Sequence, residues 1–573
     1  MKKQALLFLL SLTFIVSANQ KPQFKQAQNY ATVGSGGCDF SSIQAAIDSG
    51  KEEIRMVQGS FSENILLDRT TIMMGGYADC ASAGTNSNRV GRTTIDGSNL
   101  AVALYIQATT GNSFFILSQL NIINGKAGDS DLGAGIVLNG NQQTYFQISD
   151  SSIQNNTGSG IAVLNAGSVH IIHTDIANNT DFNGGGIYSF SSSIIVYGNS
   201  TIKNNTATNN GGGIYLTNQS NFNMLSNTTA NNIQGIEFNS ANNNGGGIYA
   251  DSASFVYIAS HDVQLDTDIT GNNASSVSIS YNQAGANNAN GDGGGVYLTG
   301  NTTEMRIFGA QFLNNNASNN GGGIAVSNNA ILTFSRLPQY ACISNNLCNR
   351  MLQNQAGTNN SSGGAIFAES GATLLIGNVS FEENNADFGS AIYLIDSNTT
   401  ANIEGSVFAR HTPSNTRDGN YIIRAFTGSQ ATIAFSTFAD NEAQLATFGL
   451  FNATANLYGD IIYDSAGGQV MNNSNSVNEN YCVMAHDISN LSGTTIKISL
   501  VSPFIDNANN DYHIKESSLA VDVCNATFYQ PTLKDMDSQE RAHDTPIGNG
   551  DGPYDIGADE TYFDEIIFAN GFE

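Results

Sequence analysis

The sequence predicts an all-β fold: a right-handed parallel β-helix, or solenoid, with a short N-terminal capping helix and a C-terminal cap and tail. Three observations predict it. Clusters of glycine followed by an apolar residue recur with a base period of about 25 to 28 residues. A module of two apolar residues and an Asn recurs inside this period. Apolar and polar residues alternate ahead of that module, which is the period of a β-strand.

The glycine clusters mark one point in each repeat. NNGGGIY occurs twice, at residues 209–215 and 243–249. Glycine alone adopts φ > 0 or permits close backbone approach without steric cost, so we interpret the clusters as corners between strands of stacked coils. Each unit must stack on its copies to bury its apolar face. The apolar residues after the clusters are Ile136, Ile161, Ile187, Ile214, Ile248, Val296, Ile324, Ile366 and Ile392.

The second module places an Asn three residues after an apolar residue. Its copies are Ile148, Ile153 and Asn156; Ile171, Ile176 and Asn179; Ile307, Phe312 and Asn315; Ile376, Phe381 and Asn384; and Ile433, Phe438 and Asn441. Asn tolerates the left-handed conformation, and stacked amides hydrogen-bond along a rod, so we predict an Asn ladder at one corner. His411 stands at the Asn position of one copy. We interpret it as a hydrogen-bonding substitute or a corner facing solvent.

The N-terminal region predicts export. Two lysines are followed by an apolar run from Ala5 to Val16 and by Ser17-Ala18, a pattern typical of a secretory signal. Phe40, Ile43, Ala46 and Ile47 then have helical spacing, with Asp39 or Ser41 as N-cap and Gly50 as the stop. The predicted segments are a signal peptide (1–18), an N-terminal segment with the capping helix (19–50), the β-helix (51–505), a C-terminal cap (506–563) and a tail (564–573).

The net charge of the chain limits the kinds of molecule that we expect it to bind. The chain carries 48 acidic and 21 basic residues, a net charge of −27. Such a charge disfavours nucleic acid, and anionic polysaccharides unless calcium bridges the carboxylates. After the signal no apolar run predicts a membrane-spanning helix. The sequence predicts secretion or cell-surface exposure and leaves the oligomeric state open.

Six cysteines fit an oxidising compartment. Proximity in the sequence favours the pairs Cys38 with Cys80, Cys342 with Cys348, and Cys482 with Cys524, among several connectivities. Their wide spacing does not suit a zinc site.

The longest insertion holds the candidates for chemistry. His261, Asp262, Asp266 and Asp268 lie close together in it, and these residue types act as acid and base. The three aspartates are also candidate calcium ligands, and apart from calcium we predict no cofactor. They do not follow a known calcium-loop spacing, so a solvated turn is the favoured interpretation. His170 and His173 are a weaker candidate for a metal site, because strand alternation directs the His170 side chain outward while His173 falls in a turn.

Four tyrosines follow the glycine clusters directly: Tyr188, Tyr215, Tyr249 and Tyr297. If they point outward in register, they form an aromatic stripe suited to stacking on sugars. The alternative, which we favour, is that they fill the corner or pack on neighbouring coils.

The motifs resemble known families. Residues 363–366 (GGAI) with 381–384 (FEEN) resemble the repeat of polymorphic outer membrane proteins, over roughly residues 130–445. Many copies depart from it, with Ile for Phe or a third Gly for Ala. Residues 34–50, 54–77 and 93–99 are similar to the N-terminal region of pectin-lyase-like β-helices. These resemblances imply a passenger-like β-helix.

The C-terminal segments also carry a resemblance. Residues 511–524 and 554–560 resemble the closing region of secreted bacterial β-helix proteins with a choice-of-anchor domain. The last ten residues are similar to tails of other exported bacterial proteins. The tail is either a sorting or attachment signal or a disordered end that covers the last coil.

These observations predict an exported, non-enzymatic protein that binds a cell-surface or extracellular polysaccharide or protein, adhesin-like or carbohydrate-binding. The alternative is a polysaccharide lyase or hydrolase of the pectin-lyase-like fold. The motifs usual in pectin hydrolases of that fold (Asn-Thr-Asp, Asp-Asp, Gly-His-Gly and Arg-Ile-Lys) are absent from the sequence.

Overall fold

The computed structural model describes most of the chain after residue 28. The described residues are 29–108, 111–128, 133–226, 234–259, 277–287, 289–336, 349–357, 360–412, 421–443, 445–464, 468–494, 496–525, 527–537, 539–543 and 552–562. The predicted signal peptide, the insertion candidates His261, Asp262, Asp266 and Asp268, the pair Cys342 and Cys348, and the C-terminal tail lie outside these residues.

The chain is a right-handed parallel β-helix, as predicted. The strands of successive coils form four parallel sheets, which we call A, B, C and D. One coil contributes Ile187–Phe190 to sheet C, Ser193–Tyr197 to sheet A, Thr201–Lys203 to sheet B and Thr206–Ala207 to sheet D. Each strand pairs in parallel with its counterpart in the next coil. Period-two alternation turns Ile194 and Val196 into the core.

Sheet A has the longest series of strands. Within the described residues they are Tyr30–Val33, Glu53–Val57, Thr71–Tyr77, Phe114–Ser118, Tyr145–Ser149, Ser168–Ile172, Ser193–Tyr197, Asn221–Leu225, Phe255–Ala259, Glu304–Phe308, Ile331–Ser335, Thr373–Gly377, Thr400–Glu404, Gln430–Ala434, Thr454–Tyr458, Val477–Tyr481 and Gly493–Thr494.

Sheet B follows sheet A around each coil. Its described strands are Ser60–Phe61, Thr93–Asp96, Leu120–Ile123, Ser152–Gln154, Asp175–Ala177, Thr201–Lys203, Gly235–Glu237, Val277–Ser280, Ala310–Leu313, Arg350–Leu352, Ser380–Glu382, Val407–Ala409, Thr437–Ala439, Ile461–Tyr463, Met484–Ala485 and Lys497–Ile498.

Most strands of sheet C begin directly after a glycine cluster. Its described strands are Ile65–Leu67, Leu104–Gln107, Ile136–Asn139, Ile161–Leu164, Ile187–Phe190, Ile214–Thr217, Ile248–Ala250, Val296–Thr299, Ile324–Ser327, Ile366–Ala368, Ile392–Ile395, Tyr421–Phe426, Ala446–Phe451 and Gln469–Ser474. The short strands of sheet D are Thr180–Asp181, Thr206–Ala207, Ser240–Ala241, Gln283–Ala284 and Asn316–Ala317.

The predicted Asn ladder runs through the buried corner that follows sheet B. The side-chain nitrogen of each Asn donates to the side-chain oxygen of the next over 2.8 to 3.1 Å. The prediction that the ladder Asn is itself left-handed was wrong, because the residue before it makes the bend and points to solvent. That position therefore accepts Phe238 and Tyr281 as well as Asn. The ladder members are Asn156, Asn179, Asn205, Asn239, Asn282, Asn315, Asn354 and Asn384.

The glycine clusters serve two purposes at neighbouring positions. Gly211 has a φ of +67°, the left-handed region that favours glycine. Gly212 lies against the next coil, where a Cβ would stand 2.4 Å from the carbonyl oxygen of Gly246. Any side chain at Gly212 would therefore push the two coils apart.

The N-terminal end is closed by the predicted helix, Ile43–Asp48. Its N-cap is Ser42, whose hydroxyl accepts from the amide of Ala45, so the predicted caps Asp39 and Ser41 were wrong. Asp39 instead accepts two hydrogen bonds from Thr32. A second helix, Cys80–Thr85, was not predicted.

Two of the predicted cysteine pairs are disulfides. Cys38 and Cys80 have Cα atoms 5.0 Å apart, and Cys482 and Cys524 have Cα atoms 5.7 Å apart. The first fastens the second helix to the N-terminal end, and the second joins the C-terminal region to the last coils.

The C-terminal region folds back along the outside of the solenoid. After the antiparallel pair Phe504–Asp506 and Asp511–Ile514, with a 3-10 helix at Asn507–Asn509, the chain packs against outward residues of sheet B. We call residues 527–537 the strap and residues 552–562 the closing segment. A second hydrophobic cluster forms beneath them, outside the rod, in which Val407 and Ile461 meet Ile556 and Ala558.

One glutamate holds the strap. Glu404, at the end of a sheet A strand, accepts from the amides of Thr532 and Leu533 and from the hydroxyls of Tyr529 and Thr532. Asn378 and Arg336, on two earlier coils, donate to strap carbonyls. The strap therefore ties several coils together.

No helix in the described part of the chain is long and apolar enough to cross a membrane.

Candidate ligand-binding face

The four tyrosines predicted as a stripe lie in one column on the outer surface of sheet C. Tyr188, Tyr215, Tyr249 and Tyr297 are direct partners in the strand register. Each follows a buried Ile or Val that points into the core. We call this surface, with the residues on its two edges, the tyrosine face.

The tyrosine rings stack on one another along the rod. Successive ring centroids are 5.5, 5.0 and 5.4 Å apart, and the planes lie within 12° of parallel. The ring faces, which the stripe hypothesis assigned to sugars, therefore contact neighbouring rings. The ring edges of these half-buried side chains remain for a ligand, while the hydroxyls of Tyr215 and Tyr297 also contact Asp251 and Ser327.

The aromatic column continues beyond the four tyrosines. Ala325 follows Tyr297 in register, and Phe367, Tyr393 and Arg424 come next. Phe367 and Tyr393 stack at 5.8 Å, and the Arg424 guanidinium lies 5.5 Å from the Tyr393 ring centre. We did not predict these residues, although they occupy the same position after the apolar residue of each repeat.

An amide ladder forms one edge of the tyrosine face. The side-chain oxygen of one residue accepts from the backbone amide of its counterpart in the next coil, over 2.8 to 3.2 Å. These residues come just before the glycines, so the repeated NNGG letters were the available signal. The members are Asn183, Asn210, Asn244, Asp292, Asn320 and Ser362.

Carboxylates occupy both edges of the face. Burial raises the pKa of Asp292 to about 6, within the amide ladder. On the opposite edge, Oδ2 of Asp251 lies 3.4 Å from the Tyr215 hydroxyl, and no described residue hydrogen-bonds its buried Oδ1. Burial, and then the nearby Asp251 carboxylate, raises the pKa of Tyr215 and of Tyr249, which keeps both phenols neutral. Burial also raises the pKa of the Glu369 carboxyl, which directly follows the sheet C strand Ile366–Ala368.

The face is thus a repeating polar surface around an aromatic spine. Each of the four tyrosine-bearing coils offers a phenol ring edge and one member of the amide ladder, at the inter-strand spacing of about 4.8 Å. Such an arrangement donates and accepts hydrogen bonds at regular intervals along the rod axis.

The predicted histidines lie elsewhere. His411 is fully buried and accepts from the Asn384 amide through Nδ1 at 3.0 Å, so it substitutes for Asn in the ladder. His170 points outward on sheet A, where its Nε2 lies 2.8 Å from the Ser168 hydroxyl. His173 occupies a turn, with its Nδ1 3.6 Å from Asp150. The last two rings thus face separate partners.

A pocket of about 510 Å³ lies at the C-terminal end of the solenoid, lined in part by Asp440, Asp464 and His486. Its carboxylates already have partners. Asp464 accepts from Asn441 and Thr447, at the corner that continues the Asn ladder beyond His411, and Asp440 accepts from Asn507. We infer from these hydrogen bonds that both carboxylates stabilise the C-terminal end of the solenoid.

Comparison with known proteins agrees with the fold. A family model described as a right handed beta helix region matches residues 86–244 and 134–337. The two ranges include the four tyrosines of the face. A comparison with curated proteins gave no match.

Proposed function

We propose that this right-handed parallel β-helix is an exported, non-enzymatic protein that binds a neutral extracellular or cell-surface polysaccharide along its tyrosine face. The observation that carries the proposal is the stack of four outward tyrosines in register. Their hydroxyl groups repeat at the coil spacing and are flanked by amides and carboxyls. A linear polymer lying along the axis meets the same set of groups at each coil.

The chemistry of the face favours sugars over other polymers. Aromatic edges beside amides and hydroxyls suit a ligand with both apolar C–H groups and many hydroxyl groups. Because the tyrosines stack on each other, the ligand contacts their edges and hydroxyls rather than their faces. The net charge of −27 favours a neutral polymer, and an anionic one would need calcium as a bridge.

The alternative function is a lyase or hydrolase. Hydrolysis of a glycosidic bond requires two carboxyl groups on opposite sides of the bond. Near the four tyrosines, Asp292 accepts from Asn319 and Asn320, which supports a ladder role for it. The enzyme hypothesis has as candidates the insertion residues His261, Asp262, Asp266 and Asp268, and Asp251 on the other edge of the face.

The proposal is tested by measuring binding of the mature protein to a panel of neutral and anionic polysaccharides, with and without calcium. For the best ligand, Tyr249→Ala should weaken binding at least tenfold, because it removes a ring from the middle of the stack. Tyr145→Ala is the matched control: this tyrosine is also outward and half-buried, but lies on sheet A. Equal binding by wild type and Tyr249→Ala would reject the proposed face.

The same samples are assayed for new reducing ends and unsaturated products. Binding without either supports the non-enzymatic proposal. Depolymerisation that is lost in an Asp266→Asn variant would establish the enzyme alternative.

A further inference from the structure

The C-terminal region brings a histidine and two aspartates from three separate segments to one point. His513 lies in the strand Asp511–Ile514, Asp537 ends the strap, and Asp559 lies in the closing segment. One potential ligand atom from each residue lies within 4.8 Å of the other two. These three residues lie far along the sequence from the tyrosine face and are not part of it.

The histidine ring is oriented as metal-binding histidines are. Its Nδ1 lies 2.5 Å from Oδ1 of Asp511, and its Nε2 points at Asp537, 2.8 Å from Oδ2. A carboxylate on one ring nitrogen fixes the ring and directs the other nitrogen toward the ion. Asp511 is thus a supporting residue, and Nε2 is the ligand atom.

Asp559 supplies a second, independent observation. Its side chain is almost fully buried, with the residue 4% exposed. Its Oδ2 accepts from the Ile514 amide at 2.7 Å. A carboxylate buried beside the Asp537 carboxylate is costly, and a cation between the two offsets that cost.

The neighbouring carboxyl groups are each held by two or three backbone amides. Asp535 accepts from the amides of Asp537, Gln539 and Glu560. Glu560 accepts from the amides of His543 and Asp555. These two residues shape the loops around the cluster, while His513, Asp537 and Asp559 face one another.

We propose that His513, Asp537 and Asp559 bind a divalent transition-metal ion, with zinc as the best fit. Zinc accepts both imidazole nitrogen and carboxylate oxygen as ligands, whereas calcium takes oxygen ligands only. The ion fastens the strand, the strap and the closing segment to one another. Without it, a proton on Nε2 of His513 takes the same place between the carboxylates, so zinc and proton compete.

The test uses the mature protein, stripped with a chelator and titrated with zinc chloride alone by calorimetry. We expect one equivalent to bind at micromolar concentration or tighter, and thermal unfolding to shift upward by several degrees. Cobalt(II) should bind at the same stoichiometry and give visible absorption of a nitrogen- and oxygen-ligated ion. Calcium at the same concentration should produce neither effect.

Two variants decide the assignment. His513→Gln and Asp559→Asn should each weaken zinc binding at least tenfold, and circular dichroism establishes that each variant is folded. His173→Gln is the matched control, since it also removes a histidine beside an aspartate and should leave binding unchanged. Absence of stoichiometric zinc binding, or its retention in folded His513→Gln, would overturn the proposal. Polysaccharide binding is measured separately, so failure of the metal site leaves the proposed function untouched.

Discussion

An aromatic ladder inside this solenoid can be compared with one on its outer surface. Inside, Phe381, Phe408 and Phe438 stack with centroids 4.6 Å apart and planes within 3°, and none is exposed. Outside, the four tyrosines stack at 5.0 to 5.5 Å and are only half-buried. The same register builds both columns, because a strand sends alternate residues to opposite faces.

The comparison distinguishes aromatic residues that the fold requires from aromatic residues that it only tolerates. A phenylalanine in the core stabilises the rod through the full burial of its side chain. A tyrosine on the outer face already has water along its edge, so its contribution to folding is small. Repetition of the inner rings is explained by packing, whereas repetition of the outer rings supports a role in binding.

The largest expected effect comes from breaking the inner ladder. Phe408→Ala should lower the free energy of unfolding by about 4 kcal/mol, because it leaves a cavity between two stacked rings. Urea unfolding followed by circular dichroism measures the loss. Phe190→Ala, an outward phenylalanine on sheet C, should cost less than about 1 kcal/mol. Equal losses would mean that the inner ring is not part of the core.

Breaking the buried amide ladder should have the next largest effect. Asn282→Ala should lower the free energy of unfolding by about 3 kcal/mol, because it removes the partners of Asn239, Asn315 and the Ile236 carbonyl. Asn287→Ala is the control, because that amide pairs with Asn242 at the exposed surface. A comparable loss in the control would contradict the special role of the corner.

The interruption of the ladder at His411 predicts a dependence on pH. Burial lowers the pKa of His411 to about 4, from 6.5 when exposed. Folding therefore favours the neutral ring: its contribution is complete above pH 6.5 and is lost as the pH falls toward 4. The loss approaches about 3 kcal/mol at pH 4.

The His411→Asn variant removes this titration and restores an amide at the corner. The difference in unfolding temperature between variant and wild type should grow as the pH is lowered from 7 to 4. A difference that is the same at both pH values would show that the buried ring does not resist protonation.

The smallest effect on stability is expected outside. Tyr249→Ala should lower the free energy of unfolding by only about 1 kcal/mol, from lost stacking on two neighbours. Urea unfolding of the variant used for ligand binding measures it. A loss as large as that of Phe408→Ala would place the tyrosine face among the elements that hold the fold and would weaken the case for binding.

Much of the solenoid could be predicted because the sequence repeats. The spacing from Ile307 to Phe312 to Asn315 marks two core residues and one ladder residue, and the structure places all three as buried. The bend one residue before the Asn was missed, because its side chain faces solvent and its identity varies from coil to coil. Phe238 and Tyr281 are examples.

The C-terminal region could not be predicted to the same degree. Glu404 and Thr532 are 128 residues apart, and their contact occurs once, so no period reveals it. The meeting of His513, Asp537 and Asp559 likewise depends on how three irregular segments fold back. On the tyrosine face the column was predictable, but whether its rings would face solvent or each other depended on the stacking distance.

The strap has a mechanical consequence. A solenoid in which each coil touches only its neighbours peels open from one end when it is pulled, one coil at a time. Here the strap runs across several coils and is held by Glu404, Asn378 and Arg336. Tension applied at the C-terminus must load these bonds in parallel, in shear, before the last coil can open. The rod should therefore be stiffer when pulled from that end than its coil-to-coil contacts alone would make it.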